Sequence, residues 1–143
     1  GITFNYGLIL GWTAVKGQVD LVIVVFYIGA IFWTLGYDTI YGFQDIKDDE
    51  IIGLKSTSIR FKNKPYLLLF SCYSIFLLCL IITGYLMELN IFSLSAFILL
   101  LIQMYYFQLK KLEIDSPSSC LGIFKSNNYL GFIVLFGLLI GKI

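Results

Sequence analysis

"PYLLLFSCYSIFLLCLIITGYLM", Pro65–Met87, contains no charged side chain. A helix crosses the hydrocarbon core of a bilayer with roughly 20 apolar residues, so this run is long enough to span. Pro65 belongs at its start, where a missing N–H costs nothing. Outward from it the pattern recurs at about Leu21–Tyr41 and Ile91–Leu109, and again in a last helix that begins near Asn127/Asn128 and runs to the chain end. One of these two asparagines is expected to cap that helix. The first apolar segment, Ile2–Val15, has about 14 residues and is too short to span unless truncated. Strict apolar/polar alternation, the mark of a membrane β-barrel, is absent. Composition agrees: 59% of the 143 residues are hydrophobic and 13% charged, against about a quarter charged in an ordinary soluble domain. Mean hydropathy is +0.88. The expected fold is all-α, a polytopic transmembrane bundle of about five helices in a single domain over residues 1–143.

The connections are short and polar. Lys16, Gly17, Gln18 and Asp20 form one turn, and Glu88 and Asn90 another. "KKLEIDSPSSC", Lys110–Cys120, reads as a loop with Pro117 as a breaker. Lys47, Lys55, Arg60, Lys62 and Lys64 lie between Gly42 and Lys64, and Lys110, Lys111 and Lys125 after the fourth span; the other side has Lys16 and Lys142. Positive charge favours the inner side of a membrane, so both charged loops are expected to face cytoplasm or mitochondrial matrix. The chain has no His, which excludes His-based acid–base chemistry and His metal ligands. Cys72, Cys79 and Cys120 show no CxxC spacing; Cys72 and Cys79, seven apart in an apolar run, read as packing residues. No nucleic-acid partner is expected. The chain enters an apolar run from Gly1 without a basic leader, and is expected to be the C-terminal portion of something longer.

Charge concentrates in "YDTIYGFQDIKDDEIIGLKSTSIRFKNK", Tyr37–Lys64, with five acidic and five basic side chains. Asp38 lies inside the apolar pattern, where an ionisable group usually faces a cavity or a partner. Asp38, Tyr41, Asp45 and Asp49 follow at spacings of three, four and four, and share one face if the helix continues past the membrane surface. Gly53 is placed to end it. Like charges at i and i+4 repel unless something positive lies between them. Mg²⁺ suits such a site because it takes one or two carboxylates together with phosphate oxygens and waters. Lys55 and Arg60 follow, fit to bind phosphate directly. DxxxD alone recurs by chance in acidic segments, and a mixed-charge loop is most often just a solvated one.

The combined pattern is more specific. "YDTIYGFQDIKDDEIIGLKST", Tyr37–Thr57, resembles the second Asp-rich motif of the UbiA family of membrane prenyltransferases: DxxxD at Asp45 and Asp49, then GxKST at Gly53, Lys55, Ser56 and Thr57. Asp38 and Tyr41 are similar to the YDxxY of the branch that acts on 4-hydroxybenzoate. "FNYGLILGWTAVKG" (Phe4–Gly17) resembles that family's fifth helix, and "CLGIFKSNNYLGFIVLFG" (Cys120–Gly137) its last loop and helix. Two small departures occur: Gly42 and Ser58 stand where the family commonly has Ala. A larger one is that nothing in the chain matches the family's first Asp-rich motif, NDxxDxxxD.

The resemblance implies the C-terminal part of a nine-helix fold holding half of an active site. It implies Mg²⁺ on Asp45 and Asp49, a polyprenyl diphosphate donor bound also by Lys55 and Arg60, and transfer of the prenyl group to the ring carbon beside the hydroxyl of 4-hydroxybenzoate in ubiquinone biosynthesis. Asp38 and Tyr41 are candidates to orient or activate the phenol; Asp38 as a packing carboxylate near Asn5 is the competing reading. Ser56 and Thr57 are candidates to cap a short helix over the site or to touch the acceptor carboxylate. The implied setting is a multi-pass protein of the bacterial inner membrane or the mitochondrial inner membrane, with an N-terminal half as a possible partner. Other readings are a different aromatic acceptor (naphthoate, homogentisate or a chlorin), an inactive or split remnant, and a transporter using Asp38 in an ion path. Trp12 and Trp33 read as packing or lipid-facing residues.

Overall fold

The computed structural model describes residues 1–143. The chain is all α-helical: α1 (Ile2–Lys16), α2 (Leu21–Gln44), α3 (Ile46–Ile52), α4 (Thr57–Arg60), α5 (Pro65–Leu86), α6 (Phe92–Leu101), which continues as a π-helical stretch (Ile102–Leu109), and α7 (Pro117–Lys142). Four helical rods are long and apolar enough to cross a membrane: α2, α5, α6 with its π continuation, and α7. The polytopic bundle expected from the apolar runs is therefore present.

Apolar side chains gain little by leaving lipid for protein, so membrane helices associate through close packing, and small residues at the contact permit it. The α2–α5 pair is built this way. A methyl group at Gly29 would come 2.7 Å from Cys79 Cβ, and one at Gly36 would come 2.9 Å from Tyr73 Cε1 and 3.5 Å from Cys72 Cβ. The seven-residue spacing of Gly29 and Gly36 on α2 thus meets the seven-residue spacing of Cys72 and Cys79 on α5. Both cysteines are buried packing residues, as their spacing suggested. α6 and α7 close similarly, with Gly137 facing Ala96 and Gly141 facing Ser93. The core between these pairs is formed by Ile40, Phe43, Leu69, Tyr73, Phe76, Leu100, Met104 and Leu130, each at most 2% exposed.

A buried polar chain crosses this core. Tyr73 Oη donates to Gln108 Oε1 at 2.5 Å, and Gln108 Nε2 donates to Ser126 Oγ at 3.0 Å. Gln108 lies in the π-helical stretch, whose i→i+5 bonding is illustrated by Lys110 N to Tyr105 O at 3.3 Å. Such stretches are rare and need a local cause; here Gln108 is 1% exposed and bonded to both neighbouring helices.

The two charged loops lie at one end of the bundle. Tyr66 Oη, at the start of α5, donates to Leu112 O at 2.8 Å. At the other end Asn90 N donates to Gly141 O at 2.8 Å, and Lys142 Nζ to Met87 O at 2.9 Å. Glu88, with φ 53°, makes the tight turn there.

The last helix departs from expectation. It begins at Pro117, ten residues before Asn127, with Ser116 as its N-cap accepting from Ser119 N at 3.4 Å. Pro117 starts the helix rather than breaking it, because its ring presets the helical φ and its missing N–H falls among donors with no intrahelical partner. Asn127 and Asn128 cap nothing. Lys125 consequently lies within a membrane-length helix and not in the loop.

Candidate active site

α2 carries the first half of the site. Trp33, Thr34, Tyr37, Asp38 and Tyr41 recur at helical spacing and turn towards α1 and α7. Three contacts set the register between α2 and α7. Trp33 Nε1 donates to Asn127 Oδ1 at 2.9 Å, and the rings of Tyr37 and Tyr41 meet that of Phe124 at centroid distances of 5.8 and 4.9 Å. Trp33 also stacks on Phe76 at 5.1 Å, so it is a packing residue with its indole N–H satisfied. α1 is tied on by Asn5, whose Nδ2 donates to Thr34 Oγ1 at 2.7 Å.

Between these helices lies a cavity of about 590 Å³, lined by residues of α1, α2 and α7 that include Asn5, Trp33, Tyr37, Asp38, Phe124, Lys125 and Asn128. Asp38 does not bond to Asn5, whose amide is taken up by Thr34 Oγ1, Ala30 O and Gly1 O. Asp38 faces the cavity instead. Lys125 and Asn128, one turn apart on α7, complete its polar wall.

The second half of the site is a helical hairpin at the charged end. α2 does not run on through the acidic motif. Asp45, with φ −113° and ψ 15°, bends the chain between α2 and α3. The single face through Asp38, Tyr41, Asp45 and Asp49 is therefore interrupted at Asp45. Asp45 and Asp49 remain one helical turn apart, with Asp49 N donating to Asp45 O at 3.0 Å. Gly53 ends α3 in the left-handed conformation, φ 77°, as its position suggested. Ser56 caps α4, accepting from Ile59 N at 3.3 Å, and its hydroxyl lies 2.9 Å from that of Ser58. Of the two candidate hydroxyls Ser56 is thus engaged in folding the hairpin, and Thr57 starts α4.

Glu50 pairs with Lys62, the one ion pair in the chain. Asp45, Asp48, Asp49, Lys55 and Arg60 have no oppositely charged partner. No group of three or more ligating side chains comes together. A Mg²⁺ ion whose other ligands are phosphate oxygens and waters takes one or two carboxylates. Asp45 and Asp49 fit this; they do not line the cavity, whereas Asp38 does.

The residue missed in the sequence is Lys125. The signal that would have found it is Ser116-Pro117, a cap followed by proline at the first helical position. Starting α7 there puts Lys125 and Asn128 on one face inside the helix.

The model of the UbiA prenyltransferase family matches residues 1–139. The chain is 40% identical over 152 residues to "4-hydroxybenzoate polyprenyltransferase, mitochondrial" of Homo sapiens, covering 100% of this chain and 38% of that protein. It is 35% identical over 144 residues to the protein of that name in Aedes aegypti, covering 100% and 32%. Against "4-hydroxybenzoate octaprenyltransferase" of Francisella tularensis subsp. holarctica (strain LVS) it is 37% identical over 138 residues, covering 94% and 47%. The chain thus spans between about a third and a half of the length of these relatives. No solved structure matches.

Proposed function

The chain belongs to the UbiA prenyltransferase family, and we propose that it forms the C-terminal part of a single transmembrane domain that prenylates the ring of 4-hydroxybenzoate. The donor in this reading is a polyprenyl diphosphate. The observation that carries it is the presence of two features in one bundle: a hairpin at the charged end whose Asp45 and Asp49 have no cationic partner, and a largely apolar cavity lined by Asp38. The relatives' names supply the acceptor class.

In this mechanism Asp45 and Asp49 would hold Mg²⁺ together with phosphate oxygens of the donor and water. When bound, the metal offsets the negative charge that builds on a departing diphosphate. Lys55 and Arg60, exposed and unpaired, bind phosphate oxygens directly and favour the charge-separated transition state. Asp38 accepts a hydrogen bond from the acceptor's phenol and raises the electron density of the ring. Tyr41, packed on Phe124, holds the α2–α7 register that aims Asp38 into the cavity. Thr57 offers a free hydroxyl to the substrate, while Ser56 acts through the shape of the hairpin. Apolar walls such as Phe4, Phe132 and Leu135 keep water from the allylic cation.

The test is transfer of label from 4-hydroxybenzoate to a lipid-soluble product by the full-length protein in membranes, with and without divalent cation. The 143-residue chain by itself is expected to be inactive, because it holds only one of the two Asp-rich motifs. Naphthoate or homogentisate as the preferred acceptor would replace the proposed substrate and leave the reaction class in place.

A further inference from the structure

Lys125 and Asp38 are the only charged residues lining the cavity between α1, α2 and α7. They make no ion pair with each other or with anything else. Lys125 is eight residues past Pro117, roughly 12 Å along α7, and Asp38 is six residues before Gln44, roughly 9 Å from the same end along α2. The Tyr41–Phe124 and Trp33–Asn127 contacts bracket that level on both helices. An anion on α2 and a cation on α7 thus line one open cavity at similar distances from the charged end, together with the rings of Trp33, Tyr37 and Phe124. Ionisable side chains at such depth are retained where they serve a cavity or a partner. A lysine stem can turn its ammonium back to the interface, but Asn128, one turn deeper, extends the same polar strip inward.

We propose that Lys125, assisted by Asn128, recognises the carboxylate of an aromatic hydroxy acid whose hydroxyl end meets Asp38. This rests on the acceptor reading above and assigns a specificity-determining residue within it. A ring with a carboxylate at one end and a phenol at the other satisfies both charges at once. The carboxylate accepts from Lys125 Nζ and the Asn128 amide, the phenol donates to the Asp38 carboxylate, and the flat faces contact aromatic side chains. The diphosphate has its own free cations, Lys55 and Arg60, on the hairpin, and neither of these lines the cavity.

The experiment measures equilibrium binding of labelled 4-hydroxybenzoate and of its methyl ester to membranes holding the full-length protein, and the KM for each substrate. Wild type should prefer the acid. K125M should weaken acid binding by about tenfold or more, leave methyl-ester binding within about twofold, and leave the KM for polyprenyl diphosphate unchanged; K125R should restore most of the acid affinity. Retained ester binding reports an intact cavity, and if K125M fails to accumulate, K125Q takes its place. Equal loss of acid and ester would mean a structural role and overturn the proposal. So would an unchanged acid affinity, or a rise confined to the diphosphate KM. Wild type that binds 4-hydroxybenzoate in a Lys125-dependent way yet transfers nothing would sink the enzymatic reading while leaving this one. Wild type that prenylates 4-hydroxybenzoate with K125M unimpaired would do the reverse.

Discussion

Gly42 and Ser58 fit each other as a matched pair: a methyl group at Gly42 would lie 2.5 Å from Ser58 Oγ and 3.2 Å from Ser58 Cβ. Ser58 is 2% exposed and hydrogen-bonds the capping Ser56, so this contact seats α4 against the end of α2. The two positions where the resemblance leads one to expect Ala are thus in contact, one residue smaller and the other larger. Gly42→Ala should destabilise the protein by about 1–3 kcal/mol through overpacking, and Gly42→Ala/Ser58→Ala should recover most of it. Thermal unfolding of the detergent-solubilised full-length protein, read as a double-mutant cycle, gives the coupling. Strict additivity of the two changes would show that the contact carries no energy.

Asp45 and Asp49 are expected to matter through charge. Asp45→Asn and Asp49→Asn should each lower prenyl transfer on the order of 10²-fold or more, the scale of losing one group that stabilises transition-state charge. Cation titrations should shift to higher concentration in both. Asp48, on the same short helix and exposed, serves as the control: Asp48→Asn should change stability by no more than about 0.5 kcal/mol and leave the cation titration in place.

Asp38 separates two roles by its cavity position. Asp38→Asn should lower turnover while the melting temperature stays near that of wild type, because Asp38 makes no hydrogen bond to the protein and packing does not depend on its charge. Unchanged turnover would remove it from the mechanism.

Gly29 and Gly36 should tolerate no side chain. Gly29→Val places atoms where Cys79 Cβ already stands, 2.7 Å from the first added carbon, and should cost about 1–3 kcal/mol. Loss of folded protein in detergent melts is the readout. Gly7, with open space at its Cβ position, should accept Ala with little change in that measurement.

The membrane spans were legible because twenty-residue apolar runs have few other uses, and Pro65 and Gly53 act through backbone rules that hold locally. The seven-residue spacing of Cys72 and Cys79 was legible as packing; that it answers Gly29 and Gly36 on another helix was not, since pairing between helices leaves no trace within either. The bend at Asp45 is not legible in sequence because an i, i+4 pattern of acids reads equally well through an unbroken helix. The start of α7 is ambiguous in sequence because serine, proline and charge around residue 116 look like loop composition, although Ser116-Pro117 is also a helix-start signal. Lys125 reads as a loop residue or as a helical one according to which signal is followed. Gln108, an amide in an apolar span, gave no local hint that it bridges Tyr73 and Ser126.

The wider coil of residues 102–109 has a mechanical corollary. Exchanging i→i+5 for i→i+4 bonds would alter both the length of the rod and the heading of whatever follows. Gln108, clamped between Tyr73 and Ser126, opposes that exchange, since rewinding would strand its amide in the apolar interior.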